Sequence, residues 1–141
     1  MNIPINYLAV LVCGVFSIVL GGVWYGALFG KKWMEFYGKA NATPEEREKM
    51  MKDARPLYVV QFLVSLFELW VLAWFVGVLS NVSSGIHTAF GIWVAFVATT
   101  TLGAGLWTGD SKKVMIQKFC IQAGYQLIFF LVSGYILSVW K

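Results

Sequence analysis

Charge is what this sequence has least of. Only 13% of its 141 residues are charged while 59% are hydrophobic, whereas an ordinary soluble domain is about a quarter charged. A soluble helical bundle would also need a polar outer face on each helix, and none of the long apolar runs carries one. Histidine occurs once and cysteine twice. No Cys/His cluster has the spacing of metal ligands, and no nucleophile–base set can be assembled from the available types. The expectation is therefore no enzyme, no metal and no cofactor. The first residues contain no Lys or Arg, and the first apolar run is longer than a signal-peptide core. That run is expected to stay as a membrane helix.

A transmembrane helix takes about 20 mostly apolar residues, and four such runs fit, at residues 6–29, 57–79, 86–107 and 114–140. The expected fold is all-α: one polytopic four-helix transmembrane domain over residues 1–141. Tyr7, Trp24, Tyr25, Tyr58, Trp107 and Trp140 lie near the run ends, as in an interfacial belt. Seven of the eleven Lys and Arg residues fall between the first two runs, from Lys31 to Arg55. Lys112, Lys113 and Lys118 sit between or just inside the third and fourth, the 80–85 loop has none, and the tail has only Lys141. By the positive-inside rule both basic loops face the cytoplasm and both termini lie outside. The expected setting is a cell (inner) membrane. The net charge of +4 then reads as topology and contact with anionic lipid, not nucleic-acid binding. Cys13 and Cys120 lie roughly 15 Å apart in depth at 1.5 Å per residue, too far for a disulfide.

The loop after the first run has structure of its own. Thr43, Pro44 and Glu46 make a capping box with proline at the first helical position. Met50, Met51, Ala54, Leu57 and Tyr58 then recur at helical spacing, which predicts a short amphipathic helix on the bilayer surface. Pro56 permits a bend into the second run. Within lipid, helices associate where small residues allow close approach. The first run carries Ala9, Cys13, Ser17 and Gly21, then Gly22, Gly26 and Gly30. The third carries Gly91, Ala95, Thr99 and Gly103, the second Ala73 and Gly77, and the fourth Gly134 and Ser138. Two rows on neighbouring faces of the first helix leave room for a homo-oligomer.

Two stretches carry a family resemblance, GGVWYGALFGKKWM (21–34) and GIWVAFVATTTLGAGLWTGDSKKVMIQKFCIQAGYQLIFFLVSGYILSVW (91–140). The chain resembles the uncharacterised four-helix membrane family called domain of unknown function 1761. That family ends its first helix on Trp-Tyr, followed by Phe-Gly and a Trp. Its third helix carries Ala-Thr-Thr and its fourth an Asn-Ala-Gly-Tyr-type stretch. The matching positions are Trp24, Tyr25, Phe29, Gly30 and Trp33; Ala98, Thr99 and Thr100; and Ala123, Gly124 and Tyr125. Departures fall at Ala95, where the family often has Gly, at Ala104, where Asn is common, and at Gln126, where His often stands. No role for that Asn or His carries over to this chain. The resemblance implies an architecture and no established activity.

Gln61, Ser65 and Glu68 share one face of the second run at i, i+4 and i+7, and Lys118, Gln122, Gln126 and Ser133 make a similar stripe on the fourth. Glu68 lies 11 residues past Leu57, and Gln126 lies 12 past Val114. At about 1.5 Å per residue both fall near the bilayer midplane, level with Ser17, Thr99 and Thr100. An intramembrane acid marks an ion or proton path by default. Its other reading is an interhelical hydrogen-bond pin to Gln126 or Thr99, contributing roughly 0.6–2 kcal/mol. The two function hypotheses are correspondingly a transporter- or channel-like protein with a polar site at Glu68, Gln126, Gln122, Thr99 and Ser65, and a structural or accessory subunit. His87 reads as an interfacial residue, and Ser111 with Asp110 as a cap on the fourth helix.

Overall fold

Asn6 starts the first helix. Its Oδ1 accepts from the backbone N–H groups of Leu8 and Ala9 at 3.0 and 3.1 Å, satisfying donors that a helix start leaves orphaned. Three further starts use the same chemistry: Thr43, Ser84 and Ser111 each accept a backbone N–H from three residues on, and Glu46 returns the bond to Thr43 at 2.8 Å. The computed structural model describes residues 4–140; Lys141, expected in the outer tail, lies outside the described residues.

The α-helices are α1 (Tyr7–Gly22), α2 (Gly30–Phe36), α3 (Pro44–Val78), α4 (Gly85–Ile92), α5 (Thr99–Leu106) and α6 (Lys112–Val139). Two π-helical segments interrupt the series, Val23–Leu28 after α1 and Trp93–Ala98 between α4 and α5. Four helical stretches are long and apolar enough to cross a membrane: Tyr7–Leu28, Pro44–Val78, Gly85–Leu106 and Lys112–Val139. They run alternately up and down, so all the connections rich in Lys and Arg gather at one end, here called the basic end.

Two local expectations change. The loop helix is capped as anticipated, but it is not a separate surface element. It continues through Pro56 into the second span as one 35-residue helix. Proline removes one backbone hydrogen bond, and the helix carries on across that gap. A second, unforeseen helix, α2, follows the first span and stops at Gly38, whose φ of +67° suits a helix C-terminus.

Packing divides the bundle into unlike halves. Away from the basic end, Ala9 and Cys13 of α1, Leu69 and Leu72 of α3, Ala89 of α4, and Phe129 and Leu137 of α6 form one buried cluster. The tightest crossing there joins α4 to α6. A Cβ built on Gly85 would stand 2.1 Å from the carbonyl oxygen of Gly134, and one on Gly134 would stand 2.5 Å from Cβ of Ala89. The Gly134–Ser138 row anticipated on the fourth helix is thus a helix contact, with Gly85 and Ala89 as its partners. Ala9, Cys13 and Ser17 are buried too. By contrast, a Cβ at Gly22, Gly26, Gly91 or Gly103 would meet nothing within 4 Å, and one at Gly30 would meet only its own helix turn at Tyr25. Those glycines are not close-approach points within this chain.

Candidate functional site: a cavity at the basic end

α6 is the central post of the basic half, and two tryptophans tie the other helices to it. The Trp24 indole N–H donates to the Ile121 carbonyl at 2.9 Å, and that of Trp93 donates to the Ala123 carbonyl at 3.1 Å. Both tryptophans belong to the π-helical segments, where the wider turn re-aims side chains; such segments recur at functional sites. Gly124 lets the Trp24 ring come close, since a Cβ there would lie 3.2 Å from it. Tyr125 donates its hydroxyl to the Ser17 carbonyl at 3.0 Å and faces Tyr25, ring to ring, at 5.5 Å. The residues that carry the family resemblance in the first and fourth spans therefore meet in one contact. The threonine run serves the second π segment: Thr99 donates to the Ala95 carbonyl at 2.7 Å, and Thr100 donates to that of Phe96.

Between these elements lies a cavity of about 1270 Å³, lined by residues of the first, second and fourth spans, α2 and α5. α5 packs on α6 and makes no comparable contact with α1 or α3, which is why the space stays open. At the mouth, Lys118 is paired with Asp110 at 2.7 Å, and its ammonium lies over the rings of Phe36 and Tyr37 at 5.7 and 5.9 Å. The hydrogen bonds from Lys118 and then Thr108 hold the Asp110 carboxyl below the usual range. Gln122 lines the wall, and Gln126, Tyr125 and Ser17 form the floor. From Lys118 to Gln126 is eight residues of α6, a depth of roughly 12 Å. At the floor, Oε1 of Gln126 is buried and has no hydrogen-bond partner among the described residues.

The anticipated centre is displaced by this geometry. Gln122 and Gln126 line the cavity; Glu68, Ser65 and Thr99 do not. Ser65 is buried and accepts from Gln61 at 3.4 Å, while Thr99 is exposed and bonded within its own helix. Glu68 is half-buried and bonds to neither Gln126 nor Thr99. The physical reason is packing. Next to Glu68 the interior is filled by Leu69, and on α6 by Phe129, 0% and 1% exposed; along α3 the lining ends at Gln61, about two turns short of the acid. Sequence reasoning missed Trp24, Trp93, Tyr25 and Tyr125 as site residues: Trp24 and Tyr25, near a run end, read equally well as interfacial anchors, and Trp93 and Tyr125 belong to neither polar stripe.

Elsewhere, His87 Nδ1 lies 2.8 Å from the Ser84 hydroxyl at the start of α4, and both cysteines are free. No group of His, Cys, Asp and Glu that could hold a metal ion occurs among the described residues.

These features define an all-helical chain with four membrane-capable helices around a half-open interior. Compared with known families, it matches the one described as Protein of unknown function (DUF1761) over residues 8–138, and it belongs to that family. Neither the curated proteins nor the solved structures contain a match.

Proposed function

We propose that this is a small transporter- or channel-like integral membrane protein that holds its solute in the cavity above Gln126. The observation that carries this proposal is a hollow of about 1270 Å³ whose floor presents a buried amide oxygen without a partner. A buried polar atom normally finds a hydrogen bond, and one left free in a roomy pocket is a binding contact in waiting. In this proposal the protein lies in the cell (inner) membrane with both termini outside and the hollow open to the cytoplasm. It is no enzyme, needs no cofactor, binds no nucleic acid and works as a homo-oligomer in the bilayer. Gly91 and Gly103, without neighbours in their own chain, are where a second copy approaches. Glu68, the one acid within the four apolar runs, sets the field beyond the hollow. A structural or accessory subunit is the alternative. The Gly85–Gly134 crossing favours it, but Glu68 lacks the hydrogen bond that a pin requires.

Gln126→Cys in a Cys120→Ser background, reconstituted in sealed vesicles, tests the proposal. Passage requires that a membrane-impermeant thiol reagent label Cys at 126 from both sides at unequal rates. Glu68→Gln should then suppress labelling from the far side and leave thermal stability unchanged. Labelling from the basic side alone favours the structural alternative, and labelling from neither side removes the hollow itself. A pin would differ at position 68 in two ways: Glu68→Gln would leave labelling as in the wild type, and Glu68→Leu would lower thermal stability.

A further inference from the structure

We propose that the cavity takes a bulky apolar organic cation, such as an aryl- or alkyl-substituted ammonium or phosphonium; this rests on the cavity being the binding site. The first reason is where the hydroxyl hydrogens go. Ser17 donates to the Gly14 carbonyl at 2.7 Å and Tyr125 to that of Ser17 at 3.0 Å; Thr100 donates to Phe96. Each hydrogen is committed to the backbone, so these lining hydroxyls turn lone pairs toward the cavity. The unpartnered Gln126 oxygen adds another acceptor.

The second reason is the walls. Tyr25 packs at 5.0 Å on Trp33 and at 5.5 Å on Tyr125, and all three line the space. Aromatic faces attract cations, more strongly once both are desolvated. Lys118 already uses this attraction at the mouth, over Phe36 and Tyr37. The third reason is net charge. Lys118 is neutralised by Asp110, and no basic side chain lies deeper along the spans. A transition-metal ion is disfavoured, because the described residues contain no cluster of His, Cys, Asp and Glu to hold one. A volume of about 1270 Å³ with mostly aromatic and apolar walls suits a large hydrophobic ion.

Equilibrium dialysis of the full chain in nanodiscs, against tetraphenylphosphonium and its shape-matched anion tetraphenylborate, tests this, with protein-free discs subtracted. The expected result is saturable binding of the cation about tenfold or more tighter than the anion. Gln126→Lys should weaken it by a similar factor while the protein stays folded by thermal shift. Gln122→Lys, one turn nearer the mouth, serves the same purpose if Gln126→Lys does not fold. Equal or tighter binding of the anion, absence of saturable cation binding, or cation binding indifferent to both folded lysine variants overturns the ligand class. Thiol labelling at position 126 is independent of charge selectivity, so failure here remains distinct from failure of the cavity.

Discussion

A single carboxylate illustrates how depth and direction differ as information. The stripe of Gln61, Ser65 and Glu68 fixes how far along the second span each side chain lies, because helix rise is constant. It does not fix which neighbour each side chain meets. That depends on how α3 is rotated against α1 and α6; with Leu69 fully buried, Glu68 falls outside the cavity lining. Gln122 and Gln126 line the cavity for a simpler reason: their stripe lies on the helix that every other span touches. The tryptophans were not legible, since an indole N–H aimed at a distant carbonyl leaves no periodic trace. At the mouth, Asp110 supports a prediction of its own. Its carboxyl is held below the usual range, so its contribution to stability is present above the unfolded value of about 3.9 and is lost as pH falls through the folded one. Thermal unfolding in detergent should therefore show wild type falling toward Asp110→Asn as pH drops below about 4, with the two converging at the acid end. A constant gap between them over that range would show that the ion pair carries no linkage.

Elements were legible from composition and capping, and their irregularities were not. Four apolar runs and the cap residues Thr43 and Ser111 foretell most helix boundaries within a few residues. The π segments Val23–Leu28 and Trp93–Ala98 escape such a reading, because one extra residue per turn changes no hydrophobicity. For the second, Thr99 and Thr100 just after it offer a partial signal, since Ser and Thr hydroxyls bond carbonyls within their own helix. Glycine rows were a weaker guide. Gly134 with Ser138 was read correctly, but Gly85 was hidden in what reads as loop, and the rows containing Gly22 and Gly91 face open space. The α4–α6 crossing gives a direct test. Gly134→Ala must push Ala89 and the Gly85 carbonyl away from contacts of 2.5 and 2.6 Å, an overpacking that costs about 1–3 kcal/mol. Gly103→Ala, with nothing within 4 Å, should leave the melting temperature of the monomer nearly unchanged or slightly raise it. Equal effects of the two substitutions would show that the crossing is not where the bundle is locked.

Across the whole molecule, the hollow and the basic residues share one end. That coincidence connects topology to function: whichever compartment receives the loops of residues 31–55 and 107–111 also receives the mouth. Reporter fusions after residue 38 and after residue 109 are expected to register on the cytoplasmic side, and fusions in the 80–84 loop on the opposite side. The reverse pattern would turn the cavity outward and change which solutes reach it. The charge asymmetry behind this prediction was readable from Lys and Arg positions alone. The hollow was not, because empty space belongs to no residue and depends on α5 standing apart from α1 and α3.

The 35-residue α3 spans roughly 52 Å at 1.5 Å per residue, well beyond a hydrocarbon layer about 30 Å thick. Only its far part, from Ser65 through Leu69, Leu72 and Ala73 to Val76, is clamped by neighbours; residues 57–61 and most of 44–56 are exposed. The helix is thus a cantilever, gripped at one end with a free arm of about 30 Å. A tilt of about 5° at the grip would swing the tip by roughly 2.5 Å, the scale on which packed helices shift between states. Slight repacking around Leu69 would reach the aqueous side as a movement large enough for a partner, or a spin label on Met50, to register.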